Sequence, residues 1–69
     1  MENRTIEFFE IGKEFQTNQE KTVKVIRHSF AFAGFPIYCE DVKDGTPYRF
    51  SLDGIDYFDF SHTIVFGGV

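Results

Sequence analysis

Residues 35–52 read FPIYCEDVKDGTPYRFSL and contain the clearest fold signal in the chain. The dipeptide Asp44-Gly45 separates two β-like segments, 35–42 and 46–52. An Asp-Gly pair in this position is a strong hairpin signal, because glycine adopts the positive φ of a tight turn at little cost. In the second segment every other side chain is a ring or a leucine, which places these apolar groups on one face of a strand. We therefore predict an antiparallel hairpin with an apolar inner face.

The longest β-like run, from Thr22 to Ala33, precedes this hairpin. Its apolar positions are odd-numbered at Val23 and Val25 but even-numbered from Ile26 onward. A single change of parity within a long strand is typical of a β-bulge, or of a strand that bends between two sheets. We predict one of these irregularities near residue 26.

The remaining segments are shorter and complete a mostly β pattern. We predict a strand over residues 4–9, then a turn or a short helical piece, and a polar loop over residues 16–19. A turn is expected at Asp53-Gly54, because glycine again follows aspartate between two apolar runs. Strands are predicted after this turn, over residues 55–60 and 62–66.

These segments together predict an all-β fold, or a β-rich α+β fold with a short N-terminal helical piece. About five short strands joined by tight turns are typical of a small antiparallel sheet rolled into an SH3-like or OB-like barrel. Residues 1–69 are expected to form one domain. Thirteen of the residues are Phe or Tyr and only one is Cys, so an internal disulfide is impossible and buried rings must supply most of the stabilisation.

The charge of the chain is unevenly distributed. The formal net charge is −4, and the whole excess lies in residues 34–69, where six acidic residues face two basic ones. A net negative charge disfavours non-specific attraction to nucleic acid or to an anionic membrane, and it favours a basic partner. We find no secretory signal and no apolar run long enough to span a membrane, and the single cysteine fits a reducing compartment, so a cytoplasmic location is predicted.

An acidic and aromatic segment in the second half of the chain is the main candidate site. Residues 55–60 have rings on both faces of the predicted strand, which favours a strand that is half buried and half available to a partner. Carboxylates spaced like nucleic-acid phosphates would fit the basic groove of a larger protein, and charge complementarity would speed the association. The predicted partner-binding residues are Asp53, Asp56, Tyr57 and Asp59, extended on the hairpin by Glu40, Asp41 and Asp44, with Tyr38 and Tyr48 as either further anchors or core residues.

This surface favours a small protein-interaction module that acts as an inhibitor or regulator. In general character, a very small, acidic, cysteine-poor chain resembles inhibitors encoded by phages and mobile elements. A second hypothesis is a small barrel that binds single-stranded nucleic acid by charge and stacking. Its candidate residues are Lys21, Lys24, Arg27 and His28, although the acidity of the chain argues against it. A third is a structural subunit that completes its core by homo-oligomerisation.

Catalysis and cofactor binding are not predicted. Cys39 alternates with apolar residues and is followed by a glutamate, which favours a buried thiol over a nucleophile. His62 also alternates with apolar residues and is interpreted as a hydrogen-bonded core or edge histidine. The period-three acids Asp53, Asp56 and Asp59 point to alternate faces of a strand, and their spacing does not match a calcium-binding loop. We therefore expect no enzyme, no metal site and no cofactor.

Overall fold

The computed structural model of the protein describes residues 5–66. Its main element is one five-stranded antiparallel sheet that curls into a half-barrel. The strands are β1 (Glu14–Thr17), β2 (Thr22–His28), β3 (Ile37–Asp41), β4 (Pro47–Phe50) and β5 (Ile64–Val65), and a single 3₁₀ turn spans Ile6–Phe8. In space the strands follow the order β4-β3-β2-β1-β5. The mostly β fold with about five strands is therefore confirmed.

The predicted hairpin is present as β3 and β4. Ile37 pairs with Phe50 and Cys39 pairs with Tyr48 across the two strands. In the turn between them, Gly45 has a φ of 77°. All four paired residues lie on the inner side of the sheet or half-buried at its edge, so the alternating pattern correctly located the apolar face.

The parity change in β2 is a true irregularity of the strand. The pairing of β2 with β3 shifts between Val25 and Arg27, which leaves Ile26 as the extra residue of a bulge. The strand, however, ends at His28, and the prediction that it continues to Ala33 is wrong. Residues 29–36 leave the sheet as a loop, whose ends are held together by a hydrogen bond from the backbone N–H of Ser29 to the carbonyl oxygen of Pro36 (2.8 Å).

The N-terminal segment also differs from its predicted form. Residues 5–9 do not form a strand but contain the 3₁₀ turn, and residue 4 of the predicted strand lies outside the described residues. The turn directs Phe9 into the core, where its side chain is fully buried. The expected loop at residues 16–19 begins later than predicted, because β1 extends to Thr17.

Residues 54–56 join the two edges of the curled sheet. Two isolated antiparallel bridges link Phe50 with Asp56 and Ile55 with Thr63. The segment therefore pairs with β4 on one side and with the residues leading into β5 on the other. The predicted strand over residues 55–60 is limited to this contact, and the predicted strand over 62–66 is shortened to β5. The Asp53-Gly54 turn that starts the segment is confirmed, with φ of 82° at Gly54.

The core lies inside the curl of the sheet. It is formed by side chains from the N-terminal turn and from all five strands: Phe9, Phe15, Val23, Val25, Ile37, Cys39, Phe50 and Ile64. Three of these eight residues are phenylalanines, whereas five other phenylalanines are exposed: Phe8, Phe30, Phe32, Phe58 and Phe60. Buried rings are therefore a smaller part of the core than the composition predicts. Within the described residues, no helix has the length and apolar character needed to cross a membrane.

Candidate interaction surface

Two loops on one side of the molecule expose an unusual amount of aromatic surface. Phe30 in loop 29–36 is 76% exposed, and Phe58 and Phe60 in loop 57–61 are 66% and 69% exposed. Soluble proteins rarely leave contiguous apolar patches in water unless these contact a partner. We define the aromatic surface as the rings of the two loops that touch one another: Phe32, Phe35, Tyr57, Phe58 and Phe60.

The rings of the aromatic surface form a continuous chain of contacts. Tyr57 is central, with its ring centroid 4.9 Å from that of Phe32, 5.2 Å from that of Phe35 and 5.2 Å from that of Phe58. Phe60 stacks on Phe35 at 6.2 Å. These separations lie in the range of favourable aromatic pairs. The two loops therefore support each other through ring contacts and present one joined surface.

Arg49 connects loop 29–36 to the sheet. Its side chain on β4 is buried, and its Nη1 donates hydrogen bonds to the carbonyl oxygens of Phe35 (3.2 Å) and Ser29 (3.4 Å). The guanidinium carbon also lies 4.5 Å from the ring centroid of Phe32, which is a cation–π distance. Because this arginine satisfies backbone carbonyls of the loop and contacts its ring, it fixes the position of Phe32 in the aromatic surface.

A buried pair, Asp56 and His62, holds the ends of loop 57–61. Asp56 Oδ2 lies 2.8 Å from His62 Nδ1, and both side chains are 2% exposed. The other carboxylate oxygen of Asp56 accepts a hydrogen bond from the backbone N–H of Phe58 at 2.8 Å. His62 packs edge-on against the rings of Tyr48 and Phe50, at 5.1 Å and 5.8 Å. Asp56 was expected at the surface, but its carboxylate is buried and shapes the loop from beneath.

The two other acids of this region are exposed. Asp59 accepts hydrogen bonds from the hydroxyl of Ser61 (2.6 Å) and from its backbone N–H (3.0 Å), and these bonds hold the pKa of the Asp59 carboxyl below its usual value. Asp59 is therefore an anion at neutral pH, between Phe58 and Phe60 in the chain. Asp53 is also exposed, and no cation within residues 5–66 forms a salt bridge with it.

The predicted acids of the hairpin lie elsewhere. Asp44 is exposed in the turn, where hydrogen bonds from Thr46 lower the pKa of its carboxyl. Asp41 is buried at the same end of β3, and its Oδ1 accepts a hydrogen bond from the backbone N–H of Lys43 at 2.7 Å. Glu40 is half-buried beside it. Loop 29–36 joins the opposite end of β3, so these three acids do not combine with Asp53 and Asp59 into one patch.

The four residues proposed for nucleic-acid binding do not form a common surface. Lys24 lies opposite Glu14 on β1 and Glu40 on β3, and these acidic neighbours reduce the positive charge that it could offer to a phosphate. His28 has its Nε2 2.7 Å from the carbonyl oxygen of Phe9 and is half-buried. Lys21 lies at the hairpin end of the sheet, close enough to Asp44 to act on its carboxyl. Arg27 alone has an aromatic partner, with its guanidinium 4.3 Å from the ring centroid of Tyr38.

The side chains capable of catalysis or metal binding are dispersed. Within residues 5–66 no group of three or more His, Cys, Asp and Glu side chains is arranged to hold a metal ion. Cys39 is fully buried in the core, and burial raises the pKa of its thiol to about 12. Of the predicted tyrosine anchors, Tyr57 is exposed in the aromatic surface, while Tyr38 and Tyr48 are half-buried.

Sequence reasoning missed the contribution of loop 29–36. Phe30 and Phe32 alternate with alanines as they would in a strand, which concealed their role as exposed loop residues. Gly34 and Pro36 follow directly and were the available signal for a loop, since both interrupt strands. Alternation along β4 places Arg49 on the face opposite Tyr48 and Phe50, and loop 29–36 covers that face.

Comparisons with protein-family models, curated proteins and solved structures returned no match for this chain.

Proposed function

We propose that the protein is a small acidic protein-interaction module that inhibits or regulates a larger partner with a basic surface. The observation that carries this proposal is the aromatic surface itself, five rings in mutual contact on two adjoining loops with Asp53 and Asp59 nearby in the chain. Rings in the centre of an interface and charges at its rim are the usual composition of protein-binding sites.

The anchoring of both loops supports this function. Arg49 holds loop 29–36 and the Asp56–His62 pair holds loop 57–61, so the rings are positioned before a partner arrives. A pre-organised surface loses less conformational entropy on binding and therefore binds more tightly than a mobile one. Such an arrangement favours recognition of one defined partner surface over non-specific apolar contact.

We further infer that the curled sheet belongs to the small-barrel type expected from the sequence, SH3-like or OB-like. The return of β5 beside β1 and the bridges at Ile55 and Asp56 support this inference, because both bring the sheet edges together. Small barrels of this kind provide a rigid base from which loops reach a partner.

The test is capture of a partner from a lysate of the source cells by wild type and by a Phe58→Ser/Phe60→Ser variant. Both rings are largely exposed, so their removal should leave the thermal unfolding curve nearly unchanged. Loss of the two most exposed rings of the aromatic surface should reduce the captured amount at least tenfold. Ile11→Ser is the matched control, because Ile11 is 63% exposed but lies in neither loop.

The same experiment has a clear negative result. If the double variant captures as much partner as wild type and as Ile11→Ser, the aromatic surface is not the binding site. If Ile11→Ser reduces capture as much as the double variant does, the interaction is a non-specific apolar contact and the proposal fails as well.

A further inference from the structure

A groove lies beside the aromatic surface, between loop 29–36 and the turn that follows β4. Its volume is about 440 Å³, which is within the range of ligand pockets in proteins. The walls are apolar and come mainly from Phe30, Phe32, Pro36 and Leu52, and Asp53 is the one charged residue that lines it. The groove therefore suits a side chain with an apolar stem and a positive end.

The carboxylate of Asp53 is available for such a group. It is exposed, and the described part of the chain offers it no salt-bridge partner. An unpaired carboxylate beside apolar walls is complementary to a basic side chain, which can bury its aliphatic stem and keep its charged end near the acid. The net charge of −4 also favours a basic ligand, because it attracts positively charged groups to the protein.

The rings of this protein already contact guanidinium groups. Arg49 lies 4.5 Å from the ring centroid of Phe32, a wall of the groove, and Arg27 lies 4.3 Å from that of Tyr38. A guanidinium is planar, is more weakly hydrated than an ammonium, and pairs with a carboxylate such as Asp53 through two parallel N–H···O hydrogen bonds, which an ammonium cannot form. The groove chemistry therefore favours arginine over lysine.

We propose that this groove accepts an arginine side chain from the basic surface of the partner, with its stem against Phe30 and Leu52 and its guanidinium at Asp53. The inference rests on the proposed interaction function and names the chemistry that the partner must present. The groove adjoins the aromatic surface through Phe32, so one partner would occupy both.

The direct test is an NMR titration of the ¹⁵N-labelled protein with N-acetyl-arginine amide. Saturable shifts are expected for the backbone amides of Phe32, Ala33, Leu52 and Asp53. Citrulline amide has the same shape without the charge, and lysine amide has the charge without the planar group, so both should bind more weakly. Asp53→Asn should weaken arginine binding about two- to fivefold, as expected for one exposed charge pair, whereas Asp44→Asn at the far end of the hairpin should have no effect.

Each result separates this inference from the proposed function. Absence of saturable shifts at the groove, or equal binding of arginine and citrulline amides, overturns the arginine site even if the aromatic surface captures a partner. If arginine binds but Asp53→Asn captures partner as well as wild type does, the groove is not part of the interface. Failure of Phe58→Ser/Phe60→Ser to reduce capture contradicts the interaction function instead, and it is measured without the arginine probe.

Discussion

Gly54 allows the backbone of residues 54–56 to approach β5 closely, because it has no Cβ. Its φ is 82°, and a Cβ built on it would lie 2.7 Å from Cε2 of Phe66 and 3.1 Å from Cβ of Ile64. Gly45 has a similar φ of 77°, but a Cβ there would meet nothing within 4 Å. The two glycines therefore separate the effect of backbone strain from the effect of crowding.

We expect Gly45→Ala to lower the free energy of unfolding by about 1–2 kcal/mol, the cost of a left-handed conformation for an L-residue. Gly54→Ala should lower it by about 1–3 kcal/mol more, because the new methyl group overpacks the contact with Phe66 and Ile64. Urea unfolding followed by circular dichroism measures both variants. Equal losses for the two would mean that the Phe66 ring moves aside without cost.

Because the Cys39 thiol is buried, the free energy of unfolding should decrease at alkaline pH. Burial raises the pKa of its thiol from 9.0 to about 12, so the folded protein keeps the thiol proton at pH values where the unfolded chain has released it. The stabilisation is complete below pH 9 and is lost as the pH rises from 9 towards about 12. Cys39→Ala should be less stable at pH 7 because of the cavity it creates, but its unfolding free energy should fall less steeply between pH 9 and 11. Lys and Tyr side chains titrate in both proteins, so their contribution cancels when the pH dependence of the unfolding free energy of the variant is compared with that of wild type. Identical pH dependence in the two proteins would contradict a buried thiol.

At the scale of elements, loop 57–61 depends on the Asp56–His62 pair. Asp56→Ala would leave the buried Nδ1 of His62 and the N–H of Phe58 without their acceptor, whereas Asp56→Asn can keep the acceptor for Phe58. Removing one partner of a buried pair costs about 3–5 kcal/mol, and a variant that keeps part of the hydrogen bonding should lose less. We therefore expect the thermal unfolding temperature to be highest for wild type, lower for Asp56→Asn and lowest for Asp56→Ala.

Asp53→Ala is the matched control for this prediction, because it removes an exposed carboxylate from the same part of the chain. Its unfolding free energy should change by less than about 0.5 kcal/mol. If Asp56→Ala is no more destabilising than Asp53→Ala, the buried pair does not hold the loop.

Some parts of the fold could be predicted from the sequence, whereas the exposed position of loop 29–36 could not. The hairpin at Asp44-Gly45 and the bulge at Ile26 were predictable because turn chemistry and side-chain parity are local properties. Loop 29–36 was not, since alternating rings satisfy the strand pattern equally well when they project from a loop. Only closure of the whole sheet shows which rings are covered.

The candidate site was predictable in part for the same reason. Tyr57 and Asp59 are exposed in loop 57–61, as the mixture of rings and acids suggested. Asp56 is buried because His62, six residues later, turns back beneath the loop, and Arg49 is covered because loop 29–36 folds over β4. Both outcomes depend on tertiary contacts, which residue spacing does not encode.

At the scale of the whole molecule, two opposing properties decide whether copies associate with one another. Each copy carries a net charge of −4, which repels a second copy, while the aromatic surface favours apolar contact. In 0.05 M salt we expect a single chain of 8.0 kDa in sedimentation equilibrium at low micromolar concentration. In 1 M salt the repulsion is screened to a Debye length of about 3 Å, and a concentration-dependent increase in mass is expected.

Phe58→Ser/Phe60→Ser decides whether this association uses the aromatic surface. The variant keeps the same charge and should stay monomeric at both salt concentrations, whereas Ile11→Ser should associate as wild type does. A dimer that is present in low salt and persists in the double variant would instead favour the structural-subunit hypothesis, with an interface outside the two loops. Because charge opposes self-association but attracts a basic partner, the same aromatic surface is expected to bind that partner best in the low salt that keeps copies of this chain apart.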